Sequence, residues 1–354
     1  MRIGIPTEVK PREGRVALVP AAVAEVVGAG HSVLIQSGAG QGTGYDDASY
    51  DRVGATIVPD AAALYGGAEM ILKVKEPVAG EYPLLHSGHL LFCFLHLAAV
   101  PELARALVDT RLRAIAWETV AEGGRLPSLA PMSEIAGRLA TQIGTTLLQS
   151  PNGGRGVMLG GVPSTDRGHV VVLGAGNVGL NAAGVAAAMG ARVTVLSRGR
   201  DSLVRAQALG PNVTALPPYP HLLAEALRDA DLFVGAVLVP GAKAPKSVTA
   251  EMVRGMRPGS VIVDVAIDQG GSVETMRPTT YDDPTFVVDG VIHFGVTNMP
   301  GAVPRTSSQA LSGVLVPYVL RLAADPDLND PVLRDAANVL DGEIVHPAVR
   351  EALR

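Results

Sequence analysis

Lys75, His96 and Asp268 are the residues of this sequence best situated to handle protons. Lys75 closes the apolar run MILKVK, His96 closes LLFCFLH, and Asp268 follows SVIVDVAI. An open α/β sheet displays its functional side chains beyond the carboxyl ends of its strands, so these three compose a candidate acid/base set. Lys73 shares a face with Lys75 if MILKVK is one strand, because side chains alternate with period two. Plainer readings stand beside these. A strand-end lysine is usually a solvated terminus, and a histidine behind an apolar run is equally a satisfied core residue. Arg15, in the polar loop TEVKPREGR, reads by position as a surface charge, although its planar fork would suit a substrate carboxylate. Asp264, inside its apolar run, reads as a structural acid.

A different chemistry is written in the stretch from His169 to Ser197, HVVVLGAGNVGLNAAGVAAAMGARVTVLS. An apolar run precedes Gly174, Gly176 and Gly179 in GxGxxG spacing, and a small-residue helix pattern and a second apolar run follow. That order is strand, tight turn, helix, strand. The first two glycines let the backbone turn and approach a pyrophosphate, the third lets the helix pack close, and the helix N-terminus offers unpaired N–H groups to the anion. The stretch predicts a bound dinucleotide. The absence of charge between Arg167 and Arg192 also suits a membrane span, but the glycines, Asn177, Asn181 and the β-branched runs fit strand, turn and helix better.

The elements around these residues alternate throughout. Residues 2–6, 31–36, 55–58, 70–75, 90–96 and 113–120 read as strands, with helices over 20–30, 46–53, 60–65 and 101–110. A long helix is expected over 133–149 with Ser133 as its cap. Further strands follow at 232–238, 260–266 and 291–298, and a helix at 304–325 returns toward the first part. The expected class is α/β: two Rossmann-like domains with parallel sheets, linked by long helices. Residues 1–127 with 305–354 form the expected substrate domain, and 128–304 the dinucleotide domain.

Composition narrows the function. At 354 residues the chain has length for two cores, and 18% charged against 47% hydrophobic residues suits parallel strands covered on both faces. A net charge of −5 argues against a nucleic-acid surface. The single cysteine, Cys93, excludes an internal disulfide and reads as a buried inert thiol. No HExxH or CxxC pairing suggests a metal, no GxSxG elbow suggests a hydrolase, and the charged N-terminus lacks a signal-peptide core. A cytoplasmic protein with no membrane segment is expected.

Longer segments carry more specific information: MRIGIPTEVKPREGRVAL, ILKVKEP, FLHLA, PMSEIAGR, GGVP with GAGNVG, VGAVLVPGAKAPK, PGSVIVDVAIDQGG and NMPGAVPRTS. Together they resemble the alanine dehydrogenase family, which is related to the nucleotide-binding part of proton-translocating transhydrogenases. The resemblance implies reversible oxidative deamination of L-alanine to pyruvate and ammonia with a nicotinamide cofactor. It implies that Arg15 binds the substrate carboxylate, Lys75 polarises the carbonyl or imine, His96 is the general acid/base and Asp268 handles the proton of water or ammonia. It matches Ser133, Asn177, Val178, Val237, Leu238, Ile267, Asn298 and Met299 to cofactor-contacting positions, with Asn298 also beside the substrate. A homo-oligomer is implied, a hexamer by resemblance.

One position departs from the pattern. NAD sites usually carry an acidic residue about 20 residues after the glycines, where it binds the ribose diol. Here Ser197 stands at that place, followed by Arg198 and Arg200. A 2′-phosphate would meet two guanidinium groups and no carboxylate, which predicts a shift toward NADPH; the plainer reading is two solvated arginines and NAD bound through other contacts. Rival functions are a related amino-acid dehydrogenase or imine reductase acting on another 2-oxo acid, a non-catalytic nucleotide-binding subunit resembling transhydrogenase, and a redox-sensing regulator.

Overall fold

The computed structural model describes residues 1–237 and 244–353. In chain order its strands are β1 (Arg2–Ile5), β2 (Ser32–Gln36), β3 (Thr56–Val58), β4 (Met70–Leu72), β5 (Leu90–Cys93) and β6 (Arg113–Ala116). Then come β7 (His169–Leu173), β8 (Arg192–Leu196), β9 (Val213–Leu216), β10 (Leu232–Gly235), β11 (Val261–Asp264), β12 (Thr285–Val288) and β13 (Val291–Phe294), and finally β14 (Ala337–Leu340) and β15 (Glu343–Ile344). The chain divides into two compact units, Met1–Met132 with Gly301–Arg354, and Ser133–Pro300.

The first unit holds one sheet in the order β15-β14-β6-β5-β4-β1-β2-β3. From β3 to β6 all pairings are parallel. The chain lays β1, β2 and β3 outward to one side and β4, β5 and β6 outward to the other, so the order reverses between β1 and β4. A crevice opens outside the carboxyl ends of strands at such a reversal. β4 and β5 are apolar at every position and buried throughout, because helices cover both faces. Leu64 and Tyr65, and Leu103 and Leu107 from the Pro101–Thr110 helix, pack in one cluster with Leu91 and Cys93. Each fully buried leucine there contributes roughly 1.5–3 kcal/mol. The Pro304–Ala324 helix holds the loop after β1: Val16 and Val19 donate their N–H groups to the Ser308 and Ser312 hydroxyls, both at 2.9 Å.

The second unit repeats the plan in the order β12-β13-β11-β10-β7-β8-β9, with the reversal between β7 and β10. β7, β10 and β11 are buried at every position. The Ala130–Leu147 helix packs backbone to backbone on the Asn177–Ala188 helix. A Cβ at Gly137 would lie 2.1 Å from the Val178 carbonyl, and the Thr141 hydroxyl donates to the Ala182 carbonyl at 2.9 Å.

The α/β class with mostly parallel sheets holds, and four details are added to it or corrected. The sheets are mixed, since β12 runs antiparallel to β13, and β14 runs antiparallel to both β6 and β15. The long helix begins at Ala130, so Ser133 lies inside its first turns and does not cap it. Pro131 does not prevent that earlier start, because the first turn of a helix needs no intrahelical N–H donors. The run MILKVK is strand only to Leu72, and Lys73 and Lys75 beyond it enter different surroundings. The tail, which carries no strong pattern, supplies β14 to the first sheet.

Candidate active site and dinucleotide cradle

The crevice of the first unit gathers charged side chains. Glu8, three residues past β1, accepts the N–H groups of Val74 at 2.5 Å and Lys75 at 3.3 Å. The same carboxylate lies 3.2 Å from the Lys73 ammonium, which is 0% exposed and lies 3.1 Å from Glu81. The Tyr65 hydroxyl and the Val78 N–H donate to Glu81, each at 2.9 Å. Burial acts to pull the Lys73 pKa down, but Glu8 and Glu81 outweigh it and hold it above the ordinary lysine value. Lys73 is therefore a fixed structural cation, and burial among these groups pushes the Glu8 carboxyl up. The segment leading to Lys75 is anchored by charge at its root.

Lys75 itself is half-buried, and burial together with the nearby Arg15 guanidinium depresses its pKa. A more acidic ammonium is a stronger hydrogen-bond donor, which suits polarising a carbonyl. Arg15 is only 3% exposed, so the surface-charge reading fails. Its Nε donates to Glu13 Oε1 at 2.6 Å and its Nη2 to Glu13 Oε2, while Nη1 lies 3.3 Å from Met132 Sδ. That bidentate fork fixes the guanidinium plane.

His96 is neither on a strand nor in the core. β5 ends at Cys93, and His96 sits in a left-handed turn at φ 48° with its side chain 42% exposed. A left-handed non-glycine residue is strained unless its surroundings hold it. Glu118 does so, accepting the His96 N–H at 2.6 Å and the Leu95 N–H at 3.1 Å. Glu76 then meets the ring, its Oε2 lying 3.3 Å from Nδ1, and its other oxygen pairs with Lys10. Burial would raise the Glu76 pKa, but hydrogen bonds from His96 and Lys10 outweigh it and pull it down to about 2. Glu76 is thus an anion at neutral pH, and its contact at Nδ1 leaves Nε2 as the other ring nitrogen for proton exchange. No motif or periodicity in the sequence marks Glu8, Glu13, Glu76 or Glu118.

The second crevice is made of backbone. Gly174 has φ +104°, and a Cβ there would lie 2.5 Å from the Ala236 carbonyl. A Cβ at Gly179 would lie 1.9 Å from the Gly174 carbonyl, so only glycine lets the helix start this close to β7. Gly176 is the N-cap and has no side-chain cap, and a Cβ on it would point into open space. That space, bounded by the first amides of Asn177, Val178 and Gly179, is a cradle of the kind a pyrophosphate fills. Ser133 stands one turn before Gly137, the residue whose backbone abuts Val178.

The loops beyond the other strands carry the remaining candidates. Ser197 follows β8 with its Oγ 3.1 Å from Ser202 Oγ, and Arg198 is exposed beside it. Val237 follows β10 and is half-buried; Leu238 lies outside the described residues. Asp264 is structural as expected: 1% exposed, it accepts the N–H groups of Ser272 at 2.6 Å, Val273 at 3.1 Å and Ala266 at 3.2 Å. Burial pushes its pKa up against those bonds. It thereby shapes the loop holding buried Ile267 and exposed Asp268. The Asn298 N–H points to Asp268 Oδ1 at 3.4 Å from a left-handed residue at φ 57°, and Met299 beside it is buried. Among the described residues, no three of His, Cys, Asp and Glu are grouped to hold a metal ion, and no helix is long and apolar enough to cross a membrane.

Two reversals of strand order, one lined with acid/base groups and one with glycine, define a nicotinamide-dependent oxidoreductase. The chain belongs to the alanine dehydrogenase/PNT family, whose N-terminal domain matches residues 4–136 and whose C-terminal domain matches residues 140–347. It is 48% identical to the alanine dehydrogenase of Bacillus subtilis (strain 168) over 359 residues, covering 100% of this chain and 95% of that protein. A solved L-alanine dehydrogenase superposes with a TM-score of 0.97 at 47% identity, covering 99% of each chain. The transhydrogenase from Sinorhizobium meliloti superposes with a TM-score of 0.86 at 27% identity, covering 98% of this chain and 100% of that one. The chain is accordingly an enzyme, an oxidoreductase of the alanine dehydrogenase kind that uses a nicotinamide cofactor.

Proposed function

We propose that this enzyme interconverts L-alanine with pyruvate and ammonia, binding the amino or 2-oxo acid in the first unit and the dinucleotide in the second. The observation carrying the reading is the Glu76–His96 contact beside Lys75 and Arg15 at one strand-order reversal. A bound nicotinamide would supply the hydride chemistry at the substrate α-carbon. Arg15, its plane fixed by Glu13, takes the substrate carboxylate. Lys75 donates a hydrogen bond to the 2-oxo oxygen or imine nitrogen, stabilising the charge that develops there. His96 exchanges protons through Nε2 while Glu76 holds Nδ1. Asp268 serves the proton of water or ammonia, and Asn298 supports substrate and cofactor beside it. Ser133, Gly174, Gly176, Asn177, Val178, Gly179, Ser197, Arg198, Val237, Leu238, Ile267 and Met299 contact the dinucleotide.

A panel of 2-oxo acids with ammonia and reduced cofactor tests this directly. Pyruvate should be reduced best, and His96→Ala should lower kcat by about 10²–10⁴-fold, the usual worth of a positioned acid/base. Preference for a larger 2-oxo acid would move the assignment to a related amino-acid dehydrogenase or imine reductase. Intact turnover in both His96→Ala and Lys75→Ala would remove the site assignment. The likeness to a transhydrogenase supports a second reading, a subunit that passes hydride to a partner domain; a carboxylate clamp such as Arg15 has no use in that role. The enzyme is further read as cytoplasmic and as a homo-oligomer, a hexamer, and sedimentation of the purified protein tests the latter.

A further inference from the structure

We propose that the turn after β8 is a binding site for a ribose 2′-phosphate, making the enzyme selective for NADP(H) over NAD(H); this rests on the dinucleotide reading of the Gly174–Gly179 turn. The Gly174 N–H donates to the Leu196 carbonyl at 2.8 Å, so the glycine turn and the end of β8 are directly joined. A dinucleotide whose pyrophosphate fills the Gly176 cradle extends its adenosine ribose over that strand end. The group met first is the Ser197 hydroxyl, where an NAD site carries a carboxylate to grip the 2′ and 3′ hydroxyls.

Three further features favour an anion there. Arg198 and Arg200 are exposed, and among the described residues neither side chain is ion-paired or hydrogen-bonded. Elsewhere in the same unit, Arg192 and Arg257 pair with Asp229 and Arg155 pairs with Asp231. The Arg200–Gln207 helix begins at Gly199, which gives its first amides no side-chain acceptor. Ser202 sends its proton to the Gly199 carbonyl at 2.7 Å, which leaves the Ser197 hydroxyl as donor in the 3.1 Å contact between them. That hydroxyl needs only to rotate to donate to a phosphate oxygen instead. Asp201, in the first helical turn, is the one acid in the segment from Ser197 to Ser202 and stands against two guanidinium groups. A 2′-phosphate brings nearly two negative charges and three acceptor oxygens, a match for bidentate arginine that a neutral diol cannot offer.

Calorimetric titration of the full chain with 2′-phospho-ADP-ribose and with ADP-ribose separates the possibilities without any turnover. The 2′-phosphorylated ligand is expected to bind about 100-fold more tightly, the scale of two charge-assisted contacts. Its advantage should shrink with salt, because both arginines are exposed. Arg198→Ala with Arg200→Ala should remove most of that advantage, weakening the 2′-phosphorylated ligand far more than ADP-ribose, and Ser197→Asp should reverse the preference. Equal or tighter binding of ADP-ribose to the natural chain would overturn the proposal. An advantage that survives loss of both arginines would overturn the assignment to this turn. If neither ligand binds, the dinucleotide reading of the glycine turn itself falls, and the proposal with it.

Discussion

The two crevices of this enzyme share a strand order and share nothing else. In both units the chain reverses direction across the sheet beside its first strand, between β1 and β4 in one and between β7 and β10 in the other. The first is filled by side chains: Glu8, Lys73, Glu76, Arg15 and His96, each held by a partner, with Lys75 beside them. The second is filled by absence, with glycine wherever a Cβ would meet a carbonyl or occupy the cradle. Proton chemistry needs functional groups at fixed distances, whereas a pyrophosphate needs backbone N–H groups and room. One crevice should therefore break when an atom is removed, the other when an atom is added.

The largest effect is expected from Lys73→Met. Its ammonium is fully buried between Glu8 and Glu81, so the variant leaves two buried carboxylates without a counter-charge. Breaking a buried pair in this way costs about 3–5 kcal/mol. Urea unfolding of the variant measures it. A loss below about 1 kcal/mol, the range of a surface pair, would mean that Lys73 is dispensable to the fold.

Lys73 also marks the limit of what the sequence tells. The alternation of apolar runs with helix patterns is local, and the parallel core of each sheet, the glycine turn and the candidates Lys75 and His96 are legible from it, whereas Arg15 stands out only through the family resemblance. The buttressing acids are not. Glu8 reaches Lys73 and Glu118 reaches His96 across long stretches of chain, and a lone glutamate in a loop carries no periodic signal. The expected strand ends were also too long. Past Leu72 and Cys93, among the described residues, only the Lys73 N–H to Phe92 and the Phe94 N–H to Val74 still join the two segments, and the carboxylates take up the N–H groups of Val74, Lys75, Leu95 and His96. A weak pattern hid β14 as well, since it is a four-residue strand specified by the sheet it joins.

A second test of the charged crevice runs through pH. The Glu76 carboxyl titrates at about 2 in the folded protein and at 4.5 ordinarily, so its contribution is present above pH 4.5 and is lost as pH falls through about 2. That difference corresponds to about 3 kcal/mol at most. The stability gap between the natural enzyme and Glu76→Gln should be widest near neutrality and should narrow steadily below pH 4.5. A gap that stays constant into acid would show that the carboxylate charge does not hold this site.

The smallest change in stability is expected in the glycine crevice, and it separates folding from binding most sharply. A Cβ at Gly179 would lie 1.9 Å from the Gly174 carbonyl, so Gly179→Ala forces backbone apart and should cost about 1–3 kcal/mol, as overpacking does. Gly176→Ala meets nothing within 4 Å and keeps an ordinary φ of −82°, so only the poorer N-cap remains to pay, about 0.5 kcal/mol. Its methyl nevertheless enters the space that a pyrophosphate would occupy. Gly176→Ala should therefore unfold at nearly the natural temperature while ADP-ribose affinity falls about tenfold or more, the scale of one displaced contact. The comparison is read by thermal unfolding beside calorimetric titration. Natural affinity in Gly176→Ala would mean that the open space beside this turn is not where the dinucleotide lies, whatever the fate of Gly179→Ala.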